Sequence, residues 1–81
     1  MIALKNQKDS VDYFAKCVEN HAAAALFITI PGCEKAELII NQRENFEYKL
    51  DYYSRTYNDN LEHKFAPGIK IVGATVLDER W

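Results

Sequence analysis

The sequence predicts an α+β domain in which two helices pack on one face of an antiparallel sheet. Three observations carry that prediction. Apolar residues recur at helical intervals in two separate stretches. β-Branched runs flank those stretches. Two strong breakers, Pro31-Gly32 and Pro67-Gly68, divide the chain into three. Its 81 residues have room for one domain, spanning 1–81, with a thin core.

Residues 1–4 (Met1-Ile2-Ala3-Leu4) read as a short strand, and Asn6-Gln7-Lys8 as a turn. Asp9 or Ser10 is placed to cap a helix, because a side-chain oxygen there accepts free N–H groups of the first turn. The helix that follows sets Val11, Phe14, Val18, Ala22 and Ala25 on one face. The alanine run suits a helix, whereas Leu26-Phe27-Ile28-Thr29-Ile30 suits a buried strand, so the change is expected near Ala24. After Pro31-Gly32, residues 35–40 alternate polar and apolar and end in two isoleucines, a strand that pairs antiparallel with the one before.

Asn41, with Glu44 three residues on, is read as an N-cap related to the capping box. Phe46, Leu50, Tyr53, Tyr57 and Leu61 then recur at steps of four, three, four and four. At about 100° per residue they fall within roughly 80° of arc, one buried stripe of a helix expected over 42–64. Residues 69–77 form the last strand. The order strand, helix, strand, strand, helix, strand is that of a ferredoxin-like βαββαβ sandwich. Without the short first strand, an αββαβ domain with a three-stranded sheet is the alternative.

Composition narrows the function. Ten basic residues face twelve acidic ones, so the clear positive excess of a nucleic-acid binder is missing. The candidate strands carry one aromatic, Phe27, and so lack the base-stacking platform of RNA-binding sheets. Two cysteines are fewer than a disulfide-held secreted domain of this size usually has. The longest apolar run, 22–30, falls short of the ~20 residues of a membrane span. These features predict a cytoplasmic protein with no membrane association.

Few residues offer chemistry. Cys17 and His21 are four apart on a helical reading and would share a face; with Cys33 and His63 they make up a Cys2His2 set, but without the paired short spacings of zinc motifs. Cys33 with His63 is the only cysteine–histidine pair to weigh for nucleophilic catalysis, and nothing in the sequence orients it. The three glycines, Gly32, Gly68 and Gly73, make no phosphate-binding loop. No catalytic residue, metal or cofactor is therefore assigned, and the reading is of a protein that is not an enzyme.

The informative surface is the outer face of the second helix. Glu44, Tyr48, Asp51, Tyr52, Arg55, Asp59 and Glu62 project away from the buried stripe. Tyrosine and arginine are enriched where protein interfaces concentrate binding energy. Tyrosines at the centre with acids at the rim read as a partner-binding patch, against the plainer reading of a charged helix whose tyrosines lie flat on their neighbours. Trp81, the last residue, adds a further candidate contact.

The stretch Glu37-Leu38-Ile39-Ile40-Asn41-Gln42-Arg43-Glu44-Asn45-Phe46, continuing through Lys49-Leu50-Asp51-Tyr52-Tyr53 and Tyr57-Asn58-Asp59, resembles a segment of small uncharacterised proteins from phages and mobile elements of Gram-positive bacteria. The match covers residues 37–59, about a third of the chain. The resemblance implies an accessory phage protein that binds a host protein stoichiometrically, as inhibitors of defence systems such as CRISPR do. The second expectation comes from another class: a homodimer, formed to bury an uncovered sheet face, that binds a small ligand or nucleic acid.

Overall fold

The computed structural model describes residues 2–78. Met1 and Trp81 lie outside the described residues, so neither the start of the expected first strand nor the expected Trp81 contact is placed. The elements run β1 (Ile2–Ala3), α1 (Gln7–Glu19), β2 (Ala22–Thr29), β3 (Glu37–Asn41), a 3-10 turn (Arg43–Asn45), α2 (Phe46–Thr56) and β4 (Lys70–Asp78). They form a four-stranded antiparallel sheet in the order β1-β4-β2-β3. The element order is the expected one, and the first strand is present, though only two residues long.

The strand order corrects the ferredoxin-like expectation. That arrangement centres its first and third strands; here β2 and β4 are central and β1 and β3 are the edges. Strand length and apolarity explain the exchange. A central strand needs partners on both sides, and only β2, with eight residues, and β4, with nine, are long enough to serve two neighbours.

The start of α1 also differs from expectation. Its N-cap is Asn6, whose side chain accepts the Asp9 N–H at 2.9 Å, while Asp9 accepts the Lys5 N–H at 2.9 Å. Asp9 and Ser10 lie inside the helix. The face turned inward is Ser10, Tyr13, Phe14 and Cys17; Val11 and Val18 are exposed, against expectation. The helix ends through His21, which takes a left-handed φ of 53°. The strand therefore begins at Ala22, two residues before the expected change near Ala24. The alanines enter the strand because β4 pairs with all four of them and β3 with Ala24 and Ala25, and these ladders override their helical propensity.

The core lies between the helices and one face of the sheet. It joins Phe14 and Cys17 of α1 and Phe46 and Tyr53 of α2 to Ala24, Leu26, Ile28, Ile71 and Ala74 of the central strands. Phe14 meets Phe46 edge-on at 5.0 Å and Tyr53 at 6.2 Å, so this ring packs α1 against α2. The other face of the sheet carries no helix among the described residues. Its residues include Ala25 and Phe27 of β2 and Leu38 and Ile40 of β3, cross-strand neighbours in the β2–β3 register.

The second helix is shorter than expected. It begins at Phe46, after the 3-10 turn, and ends at Thr56; Tyr57 is extended. Asn58-Asp59-Asn60 is a run of turn formers that compete with the helix for backbone hydrogen bonds. Gln7 of α1 completes the stop. Its side-chain amide donates to the carbonyls of Tyr53 at 3.1 Å and Tyr57 at 3.0 Å. Leu61 stays fully buried, but it reaches the core from a left-handed loop position (φ 66°) and not from a helix.

Asn41 does not cap α2. It is the last residue of β3, buried, and its side chain donates to the Ala24 carbonyl at 3.1 Å and accepts the Tyr53 hydroxyl at 3.2 Å. Gly68, at φ 97°, ties the two Pro-Gly loops together: a Cβ on it would fall 2.6 Å from Pro31 Cγ.

Candidate partner-binding surface

Helix α2 begins where the 3-10 turn ends, so the residues at its start are placed by two different geometries. Glu44 sits in the turn and is exposed; with Val18, Gln42 and Arg43 it borders a shallow depression of about 470 Å³. Tyr48, Asp51, Tyr52 and Arg55 are spaced i, i+3, i+4 and i+7 along the helix, share its outer face and are all exposed. Asp59 does not continue the stripe. It lies in the turn after the helix, exposed, and its carbonyl accepts the Gln7 N–H at 3.0 Å.

These side chains differ in how firmly they are held. Asp51 and Arg55 pair with each other at 2.6 Å across one helical turn, in solvent, a contact worth about 0.3–0.5 kcal/mol. Tyr52 leans on the buried Tyr53, with ring centroids 5.3 Å apart, and the Lys49 ammonium lies 5.4 Å from its centroid. That half of the tyrosine pair follows the plainer reading, a ring packed on its own helix. Tyr48 is different, with 68% of its surface exposed.

The structure adds a residue that the sequence reading missed. Phe65, in the loop before Pro67-Gly68, is 81% exposed. It ends a chain of edge-on rings running Tyr52, Tyr53, Tyr57, His63, Phe65, with successive centroids 5.3, 5.7, 5.1 and 6.1 Å apart. The middle rings, Tyr53 and Tyr57, are buried, so they connect the outer face of the helix to the loop. His63 fixes the loop locally, its Nδ1 accepting the Phe65 N–H at 3.1 Å. The signal for Phe65 was present in Asn58-Asp59-Asn60: a helix ended at that turn leaves an aromatic residue on a loop with no helical partners.

The residues weighed for chemistry are not assembled. Cys17 is fully buried in α1, and burial pushes its thiol up, away from the reactive thiolate. His21 lies past the helix end, exposed, with its Nδ1 2.8 Å from the Arg43 guanidinium, so the shared helical face expected for Cys17 and His21 does not form. Cys33 is an exposed free thiol in the β2–β3 loop. Among the described residues, no three His, Cys, Asp or Glu side chains group in a way that could hold a metal ion, and no helix is long and apolar enough to cross a membrane.

The shifted tyrosines serve the fold. Burial pushes the Tyr53 phenol up to about 12, and the phenols of Tyr13 and Tyr57 are raised for the same reason. Tyr13 accepts the Ala25 N–H at 2.8 Å and donates to the Thr75 carbonyl, so its hydroxyl bridges the two central strands. A cavity of about 440 Å³ lies between β1 and α1, bordered by Leu4, Asp9, Asp12, Tyr13, Lys16 and Glu19. Asp12 is paired with Lys8 at 3.1 Å and Asp9 accepts the Lys5 N–H, so both carboxylates of this mixed-charge groove already have partners.

Fold and surface together define a small α+β domain with an aromatic, acid-rimmed outer face. No protein-family model, curated protein or solved structure matches the chain.

Proposed function

We propose that this protein is a binding module that acts stoichiometrically on a protein partner, with Tyr48 and Phe65 as its anchors. The observation that supports the reading most directly is the exposure of these two large rings, 68% and 81%, on a domain whose other aromatic side chains among the described residues, Tyr52 apart, are buried or half-buried. A ring standing free in water gains from a partner that supplies a pocket, and aromatic anchors dominate the energetics of protein interfaces. Tyr52 and the paired Asp51 and Arg55 would lie beside the anchors. Glu44 and Asp59 would form an acidic rim that steers a basic partner and contributes less to affinity. Trp81 belongs to the same proposal as a contact outside the described residues.

The resemblance of residues 37–59 to small phage and mobile-element proteins extends the reading. The partner is then a protein of a bacterial host, and the activity is inhibition of a defence system of the CRISPR type by occupation of its surface. A domain of this kind needs no catalytic group, metal or cofactor, and its place of action is the host cytoplasm.

The experiment has two stages. Tagged protein is expressed in a Gram-positive host, and the co-purifying protein is identified and titrated. The variant Tyr48→Ala/Phe65→Ala should keep its far-UV circular dichroism and bind at least about 100-fold more weakly, since each anchor is worth ~2 kcal/mol or more. Affinity equal to that of the wild type in a folded double variant would exclude this surface. If the partner is a nuclease, an equimolar amount of the protein should suppress cleavage; full cleavage at a tenfold excess would exclude inhibition.

A further inference from the structure

We propose that β3 pairs antiparallel with the β3 of a second copy, about a two-fold axis through Ile39, joining two four-stranded sheets into one. The proposal concerns the sheet edge and is independent of the outer face of α2.

The two edges of the sheet are unequal. β1 is two residues long, a blunt edge that offers little backbone to a newcomer. β3 is five residues, Glu37–Asn41, with β2 on one side and no strand on the other among the described residues. Edge strands are usually protected by proline, lysine, a bulge or a covering element. None of the five residues is proline or lysine, and the β2–β3 register runs without a shift. Instead, Leu38 and Ile40 stand 45% and 49% exposed on the face that carries no helix.

The sequence of the strand selects the occupant. In an antiparallel self-pairing centred on Ile39, Leu38 faces Ile40 of the other copy, Ile39 faces Ile39, and Glu37 faces Asn41. Apolar residues meet apolar ones on both faces at the three central positions, and the two Glu37 side chains, the only charges in the strands, are kept at opposite ends. A parallel pairing in register would set Glu37 against Glu37, like charges directly opposite. Phe27, the β2 neighbour of Leu38, then flanks a continuous apolar strip contributed by both copies. The contact also closes: a two-fold pairing is isologous and uses the β3 edge of both copies, so this contact stops at two.

The area sets the strength. A five-residue strand is about 17 Å long. An interface of that length lies below the ~1,200 Å² of stable complexes, so the dimer is weak and depends on concentration, with a dissociation constant above about 1 μM.

The test is sedimentation equilibrium of the full chain carrying Cys33→Ser, which removes the exposed thiol, from about 10 μM to 1 mM. The expected result is a mass rising from one chain toward two. Ile40→Lys, which supplies an edge lysine, should weaken association at least tenfold while leaving the circular dichroism spectrum unchanged. Leu38→Lys should do the same, and Ile2→Lys at the other edge should not. The Tyr48→Ala/Phe65→Ala variant should dimerise normally, which separates this proposal from the partner-binding surface. A single-chain mass at 1 mM, a dimer insensitive to both edge lysines, or open polymers would each overturn the proposal.

Discussion

The buried Asn41–Tyr53 pair allows a prediction that depends on tertiary structure and on nothing local. Asn41 ends β3, Tyr53 lies in the middle of α2, and their side chains meet in the core at 3.2 Å, where the Asn41 amide also donates to the Ala24 carbonyl at 3.1 Å. Replacing Asn41 by valine, which suits a strand, removes both bonds. The Tyr53 hydroxyl then loses its acceptor and the Ala24 carbonyl loses its amide donor. An orphaned buried group costs about 1–3 kcal/mol, so this single change should destabilise by roughly 2–4 kcal/mol. Tyr53→Phe alone orphans only the Asn41 carbonyl oxygen and should cost about 1–2 kcal/mol. In the double variant both members of the pair are gone and only Ala24 remains short of a donor. Its destabilisation should therefore fall below the sum of the singles by at least about 1 kcal/mol. Urea unfolding followed by far-UV circular dichroism measures all four corners of the cycle. For a domain of this size, 1 kcal/mol corresponds to about 4–8 °C in Tm. Single-variant effects that add to within about 0.5 kcal/mol would refute the pair as a coupled unit.

Two further perturbations follow from the same packing. The Tyr53 phenol is raised from its ordinary 10.0 to about 12, so the unfolded chain gives up that proton first as pH rises. Stability should therefore be insensitive to this group below pH 10 and should fall by about 1.4 kcal/mol per pH unit between pH 10 and 12, with Tyr13 and Tyr57 adding in the same direction. Urea midpoints that do not move between pH 10 and 11 would contradict this. Gln7→Ala removes the amide that ties α1 to the end of α2 and should cost about 1–2 kcal/mol. Amide hydrogen exchange should quicken over residues 53–59; unchanged protection there would show that α2 ends without Gln7.

Periodicity and breakers determined a good part of this protein in the sequence itself. The 3.6-residue rhythm of Phe46, Leu50 and Tyr53 placed α2 and its inward face, and with it the outward Tyr48, because facing is a local consequence of helical geometry. Pro31-Gly32 and Pro67-Gly68 separated the elements, and the order of strands and helices followed. Tertiary structure decided what depends on partners distant in sequence. Strand order rests on which strands can serve two neighbours. The alanine run became a strand because a central position was open to it. Val11 and Val18 kept the helical period of Phe14 and yet face solvent, since a shared period fixes an arc and the neighbouring elements choose which part of it is covered. Asn41 looked like a cap and is a core hydrogen-bonding group, because the Tyr53 hydroxyl and the Ala24 carbonyl that use it come from 12 and 17 residues away. Phe65 escaped the sequence reading because the helix was expected to run through residue 64; the turn formers Asn58-Asp59-Asn60 mark its early end, while how far the loop ring is covered is set by what packs over it.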